Sequence, residues 1–462
     1  MSFHRTGLLD KHGRVCCTSG SRTSACIHAN VSAALWEDAF LNFARAAGGD
    51  QMTSIQQEAA LTGFEDRSCQ PIASHEQALE RVRALLPRIA ACAKAVDSER
   101  RVPSDVIAAL SQAGLFRIMA PRRYGGAELG FATLTEVTAE IASACGSTGW
   151  IYTVLAGHSW LLALFPQQAQ EEAFTNPHDL TATVVRLGGE RPKRVDGGYR
   201  IANASGRFCS GIDHAAWIIL GAGVETAAGA IEPRYLMVPQ SDVEVVDDWF
   251  TTGMRGTGSR SLRIAEAFVP EHRSVAIADL ASGTAPGLKL HAANIYRAPF
   301  PHVLPLSLAG APLGMARGAV NSFREKFRNR IANLGETEIA EHSAFFVRLA
   351  DAAAAVDAAM ALIVSDSRQI DHAANGTKTS RLDRARLMRD VANAAHMCRQ
   401  AVNSLFEAGG GSGIYDGEDL QRIWRDINAS TSHNTFSRER AGGMYARALF
   451  DLPPGKTERI GN

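Results

Sequence analysis

Apolar residues change their spacing twice along this chain, and that double switch restricts the folds open to it. From Ser74 the spacing is helical. Ser74 and Gln77 make a capping-box pattern, and Leu79, Val82, Leu86 and Ile89 follow along one helix face. Further helices are predicted over about 104–113, stopping at Gly114, over 133–143 and over 148–165. After Pro177 the pattern becomes short β-rich runs at 181–186, 199–202, 215–220, 234–238, 243–246 and 262–269, parted by Gly, Pro and Asp turns. From Val303 helical spacing returns in four long stretches, 303–332, 340–370, 382–408 and 418–448. The expected architecture is α+β: a helical domain over 73–180, a small antiparallel β-barrel or sandwich over 181–285, and a four-helix bundle over 286–462.

The first 72 residues lie outside this pattern. They are rich in Ser, Thr, Arg and Gly, with one apolar run near 33–46, and are expected to form a poorly ordered N-terminal extension. Two other readings stay open. Met52 would be the true start, with 1–51 an over-long reading of the gene, or the segment is a transit peptide, against which Asp10, Glu37 and Asp38 count.

Charge and cysteine usage narrow the function classes. Lys plus Arg (48) balance Asp plus Glu (48), so the basic footprint of a nucleic-acid binder is missing. No uninterrupted apolar run approaches the ~18 residues of a membrane span, so no spanning helix is expected. The eight cysteines make no C-x-x-C pair and no Cys/His ligand spacing, which predicts a reducing cytoplasm and no metal site. His75-Glu76 opens like a zincin motif but lacks the second His four residues on.

Several short motifs carry chemistry only in company. Gly221-Ala222-Gly223 follows a strand as a dinucleotide fingerprint would, but Thr226 stands at the third glycine position and Pro233 precedes any crossover helix. A hairpin turn is the expectation, and no nicotinamide-binding unit is visible. Gly206-Arg207-Phe208-Cys209-Ser210-Gly211 is a glycine-bounded strand that could also lay backbone N–H groups against a flat heterocycle. The small residues over 253–259 predict close approach of backbone or ligand. The glycines of 409–413 serve equally as a helix–helix link or a phosphate-cradling nest, and Arg425-Asp426 reads as an ordinary ion pair. His158, in an apolar helix, and His433, in a polar run on the last helix, read by composition as hydrogen-bonded core histidines. Two histidines reaching one cavity would read differently.

Taken in order, these pieces resemble the acyl-CoA dehydrogenase superfamily over about residues 75–450. The resemblance is carried by Gly114-Leu115-Phe116 with the PRRYGG of 121–126, by 206–211, by 253–259 running on to Val269-Pro270-Glu271-His272-Arg273, and by 409–413 with Arg425-Asp426. Where a dehydrogenase typically carries a Tyr-Glu-Gly-Thr-like segment, this chain has Ser430-Thr431-Ser432-His433-Asn434; a Trp-Ile-Thr-Asn-like stretch is replaced by Phe208-Cys209-Ser210-Gly211. Both replacements, and Cys145-Gly146-Ser147-Thr148-Gly149-Trp150 followed by Gly157-His158-Ser159-Trp160, look like the two-component (group D) flavin-dependent monooxygenases. That branch includes 4-hydroxyphenylacetate 3-hydroxylase oxygenase components.

The resemblance implies a homotetrameric oxygenase that takes reduced flavin, FMN favoured over FAD, from a separate reductase. It would hydroxylate a small aromatic or heterocyclic substrate with O2 through a C4a-hydroperoxyflavin. It also implies roles: Ser210 near flavin N5, Phe208, Cys209 and Gly211 along the isoalloxazine, and His433 beside the reacting centre as base or donor. His158 and Trp150 would contact substrate; Arg330 and the Gly411-Ser412 loop would reach the flavin phosphate, although Phe327-Arg328-Asn329-Arg330 departs from the usual Arg-x-x-Phe-Gly pattern. The competing readings are an FAD-containing acyl-CoA dehydrogenase with a relocated carboxylate base, and a non-catalytic flavin-fold scaffold.

Overall fold

Helices open and close the chain around a central sheet. The computed structural model describes residues 71–226, 228–332, 335, 343–372 and 379–455, all within the unit that runs from Arg67 to Asn462. Of the expected N-terminal extension only Pro71 and Ile72 are described, and Ile72 is buried. Cys16, Cys17, Cys26 and Cys69 lie outside the described residues.

The first helices are α1 (His75–Glu99), α2 (Ser104–Gln112), α3 (Phe131–Ala144), α4 (Gly146–Leu162) and α5 (Gln167–Phe174). The expected capping box at α1 is present in part: Ser74 Oγ accepts from Gln77 N at 3.2 Å, while the Gln77 side chain accepts from Ala73 N. Gly114 ends the α2 segment in the left-handed region at φ 77°. Helix α4 buries nearly its whole length, including Trp150, Tyr152 and Trp160. A helix apolar on all sides belongs inside the molecule.

Nine strands follow: β1 (Thr181–Val184), β2 (Gly188–Gly189), β3 (Lys193–Val195), β4 (Gly198–Cys209), β5 (Trp217–Glu225), β6 (Ile231–Pro239), β7 (Glu244–Val246), β8 (Arg260–Pro270) and β9 (Ser274–Ala276). Their order is β7-β8-β4-β3-β5-β6-β9, with β1 on β5 and β2 on β4. The sheet is mixed rather than wholly antiparallel, because β1 runs parallel to β5, from Thr181 opposite Trp217 to Val184 opposite Leu220. Three strands separate the two in sequence, which supplies the long crossover that a parallel pair requires.

The hairpin expected at Gly221-Ala222-Gly223 is corrected. These residues lie inside β5, opposite Tyr235, Arg234 and Pro233, and the chain reverses at 226–230. Gly221 is small because Val185 crosses it: a Cβ there would sit 2.1 Å from the Val185 carbonyl oxygen, while Leu187 N–H donates to Gly221 O.

After α6 (Ile277–Ser282) come α7 (Val303–Ala332), α8 (Ser343–His372), α9 (Arg381–Ala408), α10 (Asp419–Ser430) and α11 (Arg438–Leu449). The stretch read as one helix over 418–448 is thus two, broken after Ser430. Gly310, Gly314 and Gly318 bring α7 against α3, where added Cβ atoms would fall within 2.6 Å of the Thr135, Ala139 and Ser143 carbonyls. Within α7, Val303–Arg328 is long and apolar enough to cross a membrane by length and composition, although 67% of its most apolar window is buried in the fold. Leucines, valines and alanines between its prolines, glycines and serines keep the mean hydropathy high where no unbroken apolar run exists.

Candidate active site

The end of β4 departs from regular pairing where the chemistry is expected. Its ladder with β8 passes from Gly206 opposite Leu262 to Cys209 opposite Arg260, so Arg207 and Phe208 together face Ser261. This bulge frees two residues from the ladder and re-aims them. Phe208 adopts φ 63°, strained for an aromatic residue; the residue is 69% exposed, and its ring meets that of Trp249 edge to face at 5.9 Å. Cys209 points inward; burial pushes its thiol far above the ordinary range, so it is an inert packing group. Gly211 turns the chain at φ 76°, donates its N–H to Thr257 O, and leaves no room for a Cβ beside Leu155.

Ser210 lies between Phe208 and the core, 9% exposed. Its Oγ accepts from Trp150 Nε1 at 3.2 Å and lies 2.7 Å from Ser259 Oγ. Ser259 Oγ is in turn 2.7 Å from Thr257 Oγ1, which donates to Met254 O at 2.8 Å. The 253–259 segment therefore does approach something closely, and that something is the protein itself: a Cβ on Gly253 would lie 2.2 Å from Arg425 O, and one on Gly256 2.1 Å from Val96.

The expected ion pair between Arg425 and Asp426 does not form. Neighbours on a helix point in different directions. Arg425 instead grips Asp97 at 2.7 Å and donates to Thr252 O, while Asp426 accepts from Met254 N at 2.6 Å. Burial raises the Asp426 carboxyl to about 6, against the opposing pull of that backbone N–H. Together these contacts fasten the 252–254 backbone to α10.

His433 is not on a helix. It stands in the turn between α10 and α11, where its Nδ1 accepts from Thr435 N at 3.2 Å. A nitrogen that accepts carries no proton, so the neutral ring bears its hydrogen on Nε2. Its outer edge is open, but the ring packs against Trp150, with centroids 5.8 Å apart, and against Phe436. That apolar packing pushes its pKa below the ordinary histidine value and keeps it neutral near pH 7.

His158 has the opposite tautomer. Its Nδ1 lies 2.8 Å from Thr181 O and 3.2 Å from Thr183 Oγ1. A carbonyl only accepts, so Nδ1 carries the proton and Nε2 keeps its lone pair. Desolvation holds this ring at about 4, so it too is neutral.

Thus Trp150, Ser210 and His433 meet, with Trp150 touching the other two. His158 lies two turns further along α4, tied to β1. Gly411 and Ser412 are elsewhere, on an exposed turn after α9 that begins with Gly410 at φ 68°. Arg330 falls near the end of α7, and its side chain lies outside the described residues. Surface hollows lined by Val195, Arg200 and Phe268 and by Val364, Arg368 and His372 contain none of these side chains. Sequence reasoning gave no role to Ser259, Thr257, Trp249 or Phe436; the run of hydroxyl residues among glycines at 257–259 was the available signal.

These residues fit a flavin. Phe208 offers an exposed aromatic side chain, the bulge offers backbone off the ladder, and the Ser210 hydroxyl, held by Trp150 and Ser259, follows two residues on.

Comparison with known proteins agrees. The family models for the acyl-CoA dehydrogenase N-terminal and C-terminal domains match residues 73–178 and 306–438. The flavin-dependent monooxygenase oxygenase subunit HsaA of Rhodococcus jostii (strain RHA1) is 34% identical over 381 residues, covering 81% of this chain and 98% of that one. The oxygenase component of the FADH(2)-dependent resorcinol hydroxylase of Rhizobium sp. (strain MTP-10005) is 31% identical, covering 82% and 95%. The crystal structure of 3-HSA hydroxylase from Rhodococcus sp. RHA1 superposes with a TM-score of 0.79 at 32% identity, covering 83% of this chain and 99% of that one. With its helix–sheet–helix order and its Trp150–Ser210–His433 cluster, this chain belongs to the flavin-dependent monooxygenase oxygenase components, built on the acyl-CoA dehydrogenase fold.

Proposed function

We propose that the protein hydroxylates a small aromatic or heterocyclic compound, using O2 and reduced flavin delivered by a separate reductase. The observation that carries this reading is the contact of Trp150 with both Ser210 and His433, which joins the β4 bulge to the α10–α11 turn. Bound reduced flavin supplies the electrons that activate O2. The protein binds, orients and excludes water.

Phe208 and the backbone of Cys209 and Gly211 would flank the flavin ring, and Ser210 would hydrogen-bond near N5. Trp150 and Phe436 form an apolar wall that keeps water from the reacting atoms. His433, neutral with its proton on Nε2, acts as a hydrogen-bond donor rather than as a base, since the nitrogen able to take a proton is already committed to Thr435 N–H. His158 presents the complementary group: its Nε2 lone pair accepts the hydrogen bond of a substrate hydroxyl. Arg330 is assigned to the flavin phosphate of a neighbouring subunit in a homotetramer, and Gly411 and Ser412 to a loop that contacts the phosphate. The exposure of Ile414 and Tyr415 beside that loop supports a partner there. FMN is the flavin favoured by resemblance, and the name of the Rhizobium relative favours FADH2. A cytoplasmic location is supported by the unpaired thiols of Cys92, Cys145, Cys209 and Cys398.

The test supplies reduced FMN or reduced FAD from a flavin reductase under oxygen, with a panel of phenols, and measures hydroxylated product per flavin oxidised. Product with one or more phenols is expected. Flavin oxidation at its free-solution rate with every substrate, or bleaching of a tightly bound yellow flavin by an acyl-CoA, would reject the proposal.

A further inference from the structure

The hydroxyls around Ser210 take their proton order from the hydrogen bond between Thr257 and Met254. Thr257 has a single hydroxyl hydrogen, and it goes to Met254 O, which can only accept. Thr257 Oγ1 must therefore accept from Ser259, at 2.7 Å. Ser259 has then spent its own hydrogen and must accept from Ser210, also at 2.7 Å. Ser210 in turn receives the indole hydrogen of Trp150. The chain runs in one direction, from Trp150 through Ser210, Ser259 and Thr257 to the Met254 carbonyl.

The end of the chain is fixed. Met254 O also accepts from Trp249 Nε1 at 3.0 Å and from Thr257 N at 3.2 Å, and Met254 N is held by Asp426. Ser259 and Thr257 are both buried, so water does not offer competing partners. Ser210 is left with one lone pair and no hydrogen to give.

We infer that Ser259 and Thr257 are positioning residues that hold the Ser210 hydroxyl as a fixed acceptor, so that the site selects reduced over oxidised flavin at N5. The inference rests on the proposed placement of Ser210 at N5. Dihydroflavin carries a hydrogen on N5 and can donate it to Ser210. Oxidised flavin has a lone pair there, which would face the lone pair of Ser210. A polar group opposite the wrong partner discriminates against that ligand. A freely rotating serine would make no such distinction, because it could turn its hydrogen towards the oxidised form. The hydroxyl chain removes that option, and an oxygenase fed by a reductase would thereby bind its incoming flavin and release the spent one.

The test is anaerobic titration of the full-length protein with reduced and oxidised FMN and FAD, read as the ratio of the two dissociation constants for each flavin. Ser259→Ala removes the acceptor for Ser210, and Thr257→Val removes the next hydroxyl while keeping its shape. Both should lower the preference for reduced flavin about tenfold, mainly by tightening the oxidised complex. Thr257→Ser, which keeps the hydroxyl, should restore the wild-type ratio. Equal weakening of both redox states in Ser259→Ala and Thr257→Val would mean a structural role only and overturn the inference. Ser210→Ala separates the two levels. If it changes the ratio while the other variants do not, the hydroxyl chain is rejected and the site reading stands. If it leaves the ratio untouched, Ser210 is not at N5 and the site reading itself fails. An unsubstituted protein gives a further check: oxidised 5-deaza-FMN, with C–H in place of the N5 lone pair, should bind about fivefold tighter than oxidised FMN. Equal affinity would also overturn the inference.

Discussion

The indole of Trp150 donates to Ser210 Oγ at 3.2 Å, and the same ring meets the edge of His433 at a centroid separation of 5.8 Å. One side chain on α4 thus touches a residue of the sheet and a residue of the C-terminal helices. Trp150 is almost fully buried, so its ring has little freedom to leave either partner. Replacing it with phenylalanine keeps the apolar wall and deletes the single donor. Trp150→Phe is expected to lose about 1 kcal/mol of stability. It should also lower hydroxylated product per flavin oxidised about fivefold, with hydrogen peroxide appearing in its place. Urea unfolding and a peroxide assay under steady reductase supply measure the two effects. Unchanged coupling would separate Trp150 from the reaction.

His433 distinguishes a donor from a base. Asparagine at this position can accept from Thr435 N–H and still offer an N–H donor, whereas alanine can do neither. His433→Asn should retain several-fold more coupled hydroxylation than His433→Ala. A base role predicts that both are equally impaired. Because apolar packing lowers the pKa of His433 from 6.5, its contribution should be constant above neutral pH and should decline only on acidification below the ordinary histidine range. Coupling measured from pH 5.5 to 8.5 in the wild type and both variants gives the comparison: the acid-side decline should be seen only where the imidazole is present.

His158 makes a prediction about stability. Its pKa falls from 6.5 to about 4 on folding, through desolvation. The unfolded chain therefore binds the proton more readily between those values. Above pH 6.5 the residue is neutral in both states and its full contribution is present; as pH falls through 4 it costs about 3 kcal/mol. His158→Gln, which can keep a donor to Thr181 O, should lose stability less steeply over that window, by about one proton in the slope. Denaturant midpoints at half-unit pH steps would show it, and parallel curves would refute it.

Two glycines should behave oppositely. At Gly221 a new Cβ meets the Val185 backbone, which cannot swing aside as a side chain would. Gly221→Ala should cost about 2–3 kcal/mol. At Gly411 nothing lies within 4 Å. Gly411→Ala should change stability by less than about 0.5 kcal/mol, while weakening reduced-flavin binding if that loop holds the phosphate. Thermal melts and flavin titrations of the two variants test both halves.

Much of the fold was legible because it rests on period. Six of the strands and the long helices are near where alternating and helical spacing put them, and Gly114 stops its helix as a C′ glycine should. The short strands β2, β3 and β9 were invisible, since their Gly-Gly, Lys-Arg-Val and Ser-Val-Ala stretches show no alternation, whereas the equally short β7 was marked by its paired valines. The break after Ser430 was missed because Thr431, Ser432 and Asn434 are polar enough for an exposed helix face; the His433 side chain that caps the next turn does so by a local hydrogen bond. Of the candidate site, Trp150, Ser210 and His433 stood out as residue types and meet in the structure, whereas His158 is tied to Thr181 two turns away. The internal order of the site was not legible. Which atom of each group donates depends on neighbours as distant as Thr181 and Met254, and no spacing rule reaches that far.

The Met254 carbonyl has a consequence for how such an enzyme diversifies. It ends the hydroxyl chain below Ser210 and also holds the indole of Trp249, whose ring edge abuts Phe208. The hydroxyl chain and the Trp249–Phe208 pair are therefore tethered to one peptide group, and a change made to suit one disturbs the other. Descendants adapting to new substrates inherit little latitude in this loop, so their variation should concentrate on the far side of Trp150, in the turn that carries His433 and Phe436.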